Sequence, residues 1–206
     1  MPAKVKICGT TNLPDGLAAA EAGADALGFV FWEESPRCVS VETAAGIIRG
    51  LPPFIVKVGV FVNAPADLVY RGIGECGLNL LQFHGDEPPD YCLQFGVMSM
   101  KAFRIRDAES LRALPAYPTE AWLLDAFSPD KPGGTGECFN WDLAVQAREL
   151  GRMIFLAGGL TPENVGDAVR KVRPYAVDVS SGVEAEPGRK DHAKVRAFIQ
   201  AVRKAG

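Results

Sequence analysis

The sequence predicts an α/β fold of the (β/α)8 barrel type, eight parallel strands ringed by helices. Three observations carry that expectation. Short β-rich runs alternate with helical patterns along all 206 residues, as βα units around a parallel sheet require. Eight such runs can be counted, and the length falls toward the short end of the range for these barrels. Most of the runs stop at a chemically capable residue or a glycine-rich turn, and barrel enzymes build their active sites at the C-terminal ends of the strands.

Taken in order, the first run covers residues 4–7 and ends at Cys8-Gly9. The second, 26–31, leads into Ser35-Pro36-Arg37, after which Ser40 precedes Ala44, Ile47, Ile48 and Leu51 as the N-cap of an amphipathic helix should. The third, fourth and fifth runs cover 55–61, 80–83 and 98–103, with His84 just past the fourth. The sixth, 121–124, closes on Asp125 and is followed by the longest irregular stretch, 127–139, on the side where barrels keep functional loops. The seventh, 153–156, runs into Ala157-Gly158-Gly159-Leu160, and Thr161-Pro162 offers an N-cap with proline at the first helical position. Its helix shows Val165, Ala168, Val169 and Val172 at i, i+3, i+4, i+7. The eighth, 176–179, precedes Ser180-Ser181-Gly182 and a final helix with Val195, Phe198, Ile199 and Val202 in the same spacing. Gly23, Gly77 and Gly151 suit left-handed helix ends. No low-complexity linker divides residues 1–206, so one barrel domain is expected. The structural rival is a doubly wound open sheet; it is disfavoured because Cys8-Gly9-Thr10-Thr11 replaces the Gly-x-Gly-x-x-Gly turn that would follow its first strand.

Composition narrows the function. At 48% hydrophobic and 23% charged residues, the chain can bury roughly 70% of its unfolded surface. A net charge of −3, without a basic patch interleaved with aromatics, argues against nucleic acid as a partner. Met1-Pro2-Ala3-Lys4 lacks an apolar signal core and no apolar run approaches the ~20 residues needed to span a bilayer, so a cytoplasmic protein away from membranes is expected. Cys8, Cys38, Cys76, Cys92 and Cys138 are odd in number and unpaired in spacing, which fits free thiols in a reducing compartment.

The strand ends suggest a chemistry. Gly158, Gly159, Ser180, Ser181 and Gly182 lie after strands seven and eight, the recurrent phosphate site of these barrels, where backbone N–H groups approach an anion closely. Arg189 and Lys190 offer added charge there, or a solvated loop. Asp125 follows Trp122-Leu123-Leu124, and apolar neighbours would raise its pKa and suit it to general acid work; the alternative is a turn-capping aspartate. Cys8 is either a buried, inert thiol or a base. As a base it needs positive charge to lower a reference pKa of ~8.5. Lys6, on the same strand face two residues earlier, Arg37 and His84 are the candidate sources. Arg37 also suits bidentate pairing with a carboxylate on a ligand. His192 reads as a surface residue at a helix start. One acid, one base, a phosphate anchor and a carboxylate clamp, with neither metal cluster nor dinucleotide fingerprint, point to cofactor-free proton transfer on a small phosphorylated carboxylate.

The motifs Lys6-Ile7-Cys8-Gly9, Gly28-Phe29-Val30-Phe31, Ser35-Pro36-Arg37, Val58-Gly59-Val60-Phe61, Leu81-Gln82-Phe83-His84-Gly85, Gly133-Gly134-Thr135-Gly136, Ala157-Gly158-Gly159-Leu160 and Asp178-Val179-Ser180-Ser181-Gly182-Val183-Glu184 fall at the strand mouths from Val5 to about Asp191. In them the chain resembles the phosphoribosylanthranilate isomerase family of tryptophan biosynthesis. The resemblance implies an Amadori rearrangement without cofactor: Asp125 protonates the ribose ring oxygen, Cys8 removes the C2′ proton, and Arg37 meets the anthranilate carboxylate. It further implies substrate contacts at His84 and Asp178, a phosphate grip by the two late turns, and a loop at Gly133–Gly136 able to cover substrate. Two departures stand out: Asn140 where the family commonly has Asp, a replacement able to keep a helix-cap role, and Phe83 in place of an aliphatic, expected to affect packing alone. Other phosphosugar barrels share the phosphate turns, and a barrel that merely binds a phosphorylated metabolite is the non-catalytic alternative; Cys8 together with Asp125 is what distinguishes the isomerase. Either a monomer or a homodimer is compatible with the sequence.

Overall fold

The computed structural model describes residues 2–126 and 141–206. The Gly133–Gly136 loop, Cys138 and Asn140 lie outside the described residues.

Eight parallel strands close a barrel in chain order: β1 (Lys4–Cys8), β2 (Ala26–Val30), β3 (Val56–Phe61), β4 (Leu80–Phe83), β5 (Met98–Ile105), β6 (Ala121–Ala126), β7 (Met153–Leu156) and β8 (Ala176–Val179). The ring is closed by β1 against β8, with Lys4 opposite Ala176 and Lys6 opposite Asp178. Every strand expected from the sequence is present. The differences lie at the ends: β1 continues through Cys8, and β5 and β6 run two residues further than the apolar pattern, so that Asp125 lies inside β6 opposite Arg104 of β5. Polar residues end an apolar run, but the hydrogen-bond ladder carries them on.

Alternation of side chains along a strand splits the core in two. Ala26, Val58, Leu80, Met100, Ala102, Ala121, Leu123, Phe155, Ala157 and Ala176 point into the barrel, the many alanines leaving room for Met100 and Phe155. The opposite faces, including Ile7, Leu27, Phe29, Leu81 and Leu156, pack beneath the helices. Phe83 belongs to this outer layer, where its ring lies 5.7 Å from those of Tyr91 and Phe95.

The helices are α1 (Leu13–Ala22), α2 (Val41–Arg49), α3 (Ala66–Cys76), α4 (Pro89–Leu93), α5 (Trp141–Glu149), α6 (Val165–Val172) and α7 (His192–Ala205). Ser40 caps α2 by accepting the Thr43 N–H, and Gly23, Gly77 and Gly151 take left-handed φ values as expected. Two connections depart from the expected pattern. Between β5 and β6 the chain forms a 3-10 helix, Glu109–Ala116, since Pro115 lacks the N–H an α-helix would use there. Thr161 and Pro162 form a turn ahead of α6, which begins at Val165; the Asn164 side chain accepts the Thr161 N–H at 2.8 Å and gathers that turn. After β8 the chain makes a short 3-10 turn, Ser181–Val183, and a hairpin of β9 (Glu184–Glu186) and β10 (Arg189–Lys190). No helix among the described residues is long and apolar enough to cross a membrane.

Candidate active site

Cys8 ends β1 with its thiol on the inner wall, buried, and packs there with Val30 and Val60. Its register partner on β2 is Gly28. A Cβ at Gly28 would come within 2.8 Å of the Cys8 Sγ and 3.2 Å of the Lys6 Nζ, so the missing side chain makes the space that thiol and ammonium share. Lys6 is wholly buried and donates to Asp178 Oδ1 at 2.8 Å. Burial alone would lower the Lys6 pKa, but the Asp178 carboxylate and the neighbouring Cys8 leave it above its ordinary value, and it remains a cation. For Cys8 the balance differs from the sequence expectation. Burial pushes the thiol up, and the Lys6 cation opposes this without reversing it. The Lys6 ammonium thus lies as a fixed positive charge beside the sulfur, where it would counter a thiolate.

Across the mouth, β6 brings Asp125 to a position three strands round the ring from β1. Among the described residues, the close contact made by Asp125 is polar, where the sequence suggests apolar neighbours. Its side chain is 31% exposed and lies 3.4 Å, Oδ2 to Nε2, from His84, which follows β4. The other ring nitrogen, His84 Nδ1, is 2.9 Å from the amide Nε2 of Gln82, a residue buried on the inner face of β4.

Arg37 reaches back over Gly9 and engages Glu184 through both Nε and NH2, at 2.8 and 2.6 Å. This fork is already occupied by a carboxylate, which leaves the remaining N–H groups of the guanidinium for a ligand. Lys190 is the larger surprise. Its ammonium is buried, donating to the Cys8 carbonyl at 2.6 Å, to Glu184 Oε1 at 2.9 Å and to the Ser180 carbonyl at 3.4 Å. It ties the ends of β1 and β8 to the carboxylate that holds Arg37, while its neighbour Arg189 is exposed and pairs with Glu186 at 3.7 Å. Desolvation lowers the Lys190 pKa and Glu184 partly restores it. His192, at the start of α7, bonds Asp15 at 2.8 Å, and Asp15 in turn accepts the Lys190 backbone N–H.

The two late turns meet. Gly158 and Gly159 have φ values of 80° and 66°, and the Asn164 amide bonds the Gly159 carbonyl at 2.9 Å. A Cβ at Gly182 would overlap the Leu160 carbonyl, so the turn after β8 can lie on the turn after β7 only as glycine. Ser180 Oγ is buried without a hydrogen-bond partner among the described residues. The structure thus gathers Cys8, Lys6, Asp178 and Gly28 at one wall, His84, Asp125 and Gln82 at another, and Arg37 with Glu184 and Lys190 between β1 and β8. Gln82 and Glu184 were not singled out as site residues from the sequence. Gln82 carried a usable signal, its spacing of two from His84 on one strand; Glu184 carried none, being 147 residues from Arg37.

Closed parallel strands with reactive side chains and glycine turns gathered at their C-terminal ends define a (β/α)8 barrel enzyme. The kind of barrel enzyme follows from its relatives. Residues 5–201 match the family described as N-(5'phosphoribosyl)anthranilate (PRA) isomerase. An N-(5'-phosphoribosyl)anthranilate isomerase from Geobacter sp. (strain M21) is 60% identical over 201 residues, covering 98% of either chain. The crystal structure of phosphoribosyl anthranilate isomerase from Thermotoga maritima superposes with a TM-score of 0.92 at 43% identity, covering 98% of this chain and 99% of that one. A second crystal structure, of such an isomerase in complex with reduced 1-(o-carboxyphenylamino)-1-deoxyribulose 5-phosphate, gives a TM-score of 0.89 at 41% identity over the same shares. The chain belongs to the N-(5'-phosphoribosyl)anthranilate isomerase family.

Proposed function

We propose that Cys8 and Asp125 are the proton-transfer pair by which this chain converts N-(5'-phosphoribosyl)anthranilate to 1-(2-carboxyphenylamino)-1-deoxyribulose 5-phosphate. Asp125 gives its proton to the furanose oxygen as the C1′–O bond breaks, and the anthranilate nitrogen lone pair closes a C=N bond to C1′. Cys8, having first lost its own proton to solvent to become the thiolate beside Lys6, takes the C2′ proton, the electrons of that C–H bond form a C1′–C2′ double bond, and the iminium becomes a neutral enolamine. Returning a proton to C1′ while the C2′ hydroxyl loses its own yields the ketone. Product and substrate are isomers, so no co-reactant is consumed.

The observation that carries this reading is the thiol beside a fixed ammonium on the inner wall, where a glycine leaves room for both. A thiolate formed there is countered at once by Lys6. The turns after β7 and β8, with the unpartnered Ser180 hydroxyl, are offered as the grip on the phosphate, through Gly158, Gly159, Ser180, Ser181 and Gly182. Arg37 uses its free N–H groups on the anthranilate carboxylate, and His84 and Asp178 complete the substrate contacts. The relative that holds a reduced product analogue bears on the same assignment, since that compound combines an aromatic carboxylate with a phosphorylated pentose chain. Residues 1–206 act as one catalytic unit in this reading, as a monomer or homodimer in the cytoplasm.

Loss of substrate fluorescence on mixing freshly made phosphoribosylanthranilate with the purified protein tests the activity, and an unchanged signal would exclude it. Cys8→Ser and Asp125→Asn should each lower kcat by about 10²–10⁴. Turnover near the wild-type rate in either variant reassigns that role.

A further inference from the structure

We propose that Gln82 is a positioning residue for this reaction, holding His84 as the neutral tautomer whose Nε2–H is aimed at Asp125. The inference rests on Asp125 being the acid of the reading above. Three groups follow one another: the Gln82 amide nitrogen, 2.9 Å from His84 Nδ1, the imidazole, and Asp125 Oδ2, 3.4 Å from Nε2. A neutral imidazole has one donor and one acceptor nitrogen, so each neighbour fixes the role of the nitrogen it faces. An amide N–H on Nδ1 makes that nitrogen the acceptor and puts the proton on Nε2. The opposite arrangement would point a bare Nε2 lone pair toward Asp125 Oδ2 and leave no donor there.

Gln82 can do this because it is itself immobilised. It is buried on the inner face of β4, two residues before His84, opposite Val60 of β3 and Met100 of β5. Among the described residues, the charged groups placed near the ring are Asp125, Arg104 opposite it on β5, and the buried pair of Lys101 with Glu87 under the turn that follows His84; Lys101 donates to the Phe83 carbonyl at 3.4 Å and to Glu87 at 3.2 Å. The last pair is internally satisfied, and among the described residues the imidazole has Gln82 on one side and Asp125 on the other.

The chemical consequence follows from charge. When Asp125 gives up its proton a carboxylate appears, and an Nε2–H already aimed at it stabilises that charge as it forms. A neutral donor, fixed by an amide that cannot itself ionise, supports the proton transfer without adding a charge of its own.

The chain has 2 histidines, so the ring nitrogens of ¹⁵N-histidine-labelled protein can be assigned with a single His192→Asn variant. Wild-type His84 should show a protonated Nε2 and a bare Nδ1 at neutral pH; a protonated Nδ1 would overturn the inference while leaving the isomerase reading intact. Failure of the wild-type protein to consume substrate would remove that reading instead. Gln82→Glu places an acceptor against Nδ1 and should move the proton there, lowering kcat by about tenfold while KM stays within about twofold, the pattern of an interaction made in the transition state. Gln82→Met, which adds no buried charge, should give mixed tautomers and a smaller loss of kcat. Unchanged tautomer and kcat in both variants would contradict the proposal.

Discussion

Lys6 and Asp178 form an ion pair beneath the Cys8 thiol, and neither can be removed without stranding the other charge in the barrel. Lys6→Met should therefore lower unfolding stability by about 3–5 kcal/mol in urea titration. Lys6→Met combined with Asp178→Asn should recover most of that stability and none of the turnover; recovery of turnover would mean that the ammonium serves the fold alone. Gly28→Ala should keep the barrel folded by circular dichroism yet slow the reaction, because its methyl carbon would press on both Sγ and Nζ. Wild-type kcat in that variant would mean the thiol has more freedom than the packing allows. Much at this scale was legible in the sequence. Two-residue spacing put Lys6 and Cys8 on one face, and the strand-end positions of Cys8 and Asp125 followed from the apolar runs. The space opposite Gly28 was not, because it exists only once β2 pairs with β1. Nor was the partner of Asp125, since His84 reaches it across the barrel mouth from a strand two places away.

The elements show the same division between local and distant causes. Helices with clean spacing packed as expected: Val165, Ala168, Val169 and Val172 of α6 are all buried, and so is Phe198 of α7. Phe198→Ala should cost about 3–5 kcal/mol by denaturant unfolding, since a fully buried ring leaves a cavity. A loss under ~1 kcal/mol would show that α7 docks loosely. The β9–β10 hairpin is the opposite case. Arg189 and Lys190 are adjacent and chemically alike, and as a sequence they read as one basic loop. The strand alternation separates them, sending Arg189 to solvent and Lys190 under the β1 and β8 ends. Arg189→Ala should leave stability within about 0.5 kcal/mol of wild type. Lys190→Met should destabilise far more and lower kcat/KM as well, since Glu184, Arg37 and the Cys8 carbonyl lose a common tether. Equal effects in the two variants would contradict the buried placement.

For the whole molecule, three partly buried carboxylates contribute to the acid limit. In each, burial raises the pKa but is outweighed: Asp15 by the Lys190 N–H, His192 and Asn12, Asp25 by the Val5 N–H, Lys4 and Arg203, and Glu184 by Arg37 and Lys190, so that all three end below their ordinary values of 3.8, 3.8 and 4.5. A native pKa below the unfolded one contributes stability above the unfolded value and loses it as pH falls through the native value. The thermal midpoint should accordingly fall as the pH is taken below about 4. A midpoint unmoved down to pH 2 would show these contacts to be weaker than their geometry implies. The barrel itself was legible from the count and order of eight β-rich runs, while its register, and with it the pairing of Lys6 with Asp178 across the closing seam, depended on β1 meeting β8. The central claim is that the Cys8 sulfur removes the C2′ proton. Single-turnover measurement with enzyme in excess and substrate deuterated at C2′ tests it most directly: the Cys8→Ser variant should bind the substrate and convert it at a small fraction of the wild-type rate, with proton abstraction slowed by deuterium. Conversion by Cys8→Ser at the wild-type rate would contradict it.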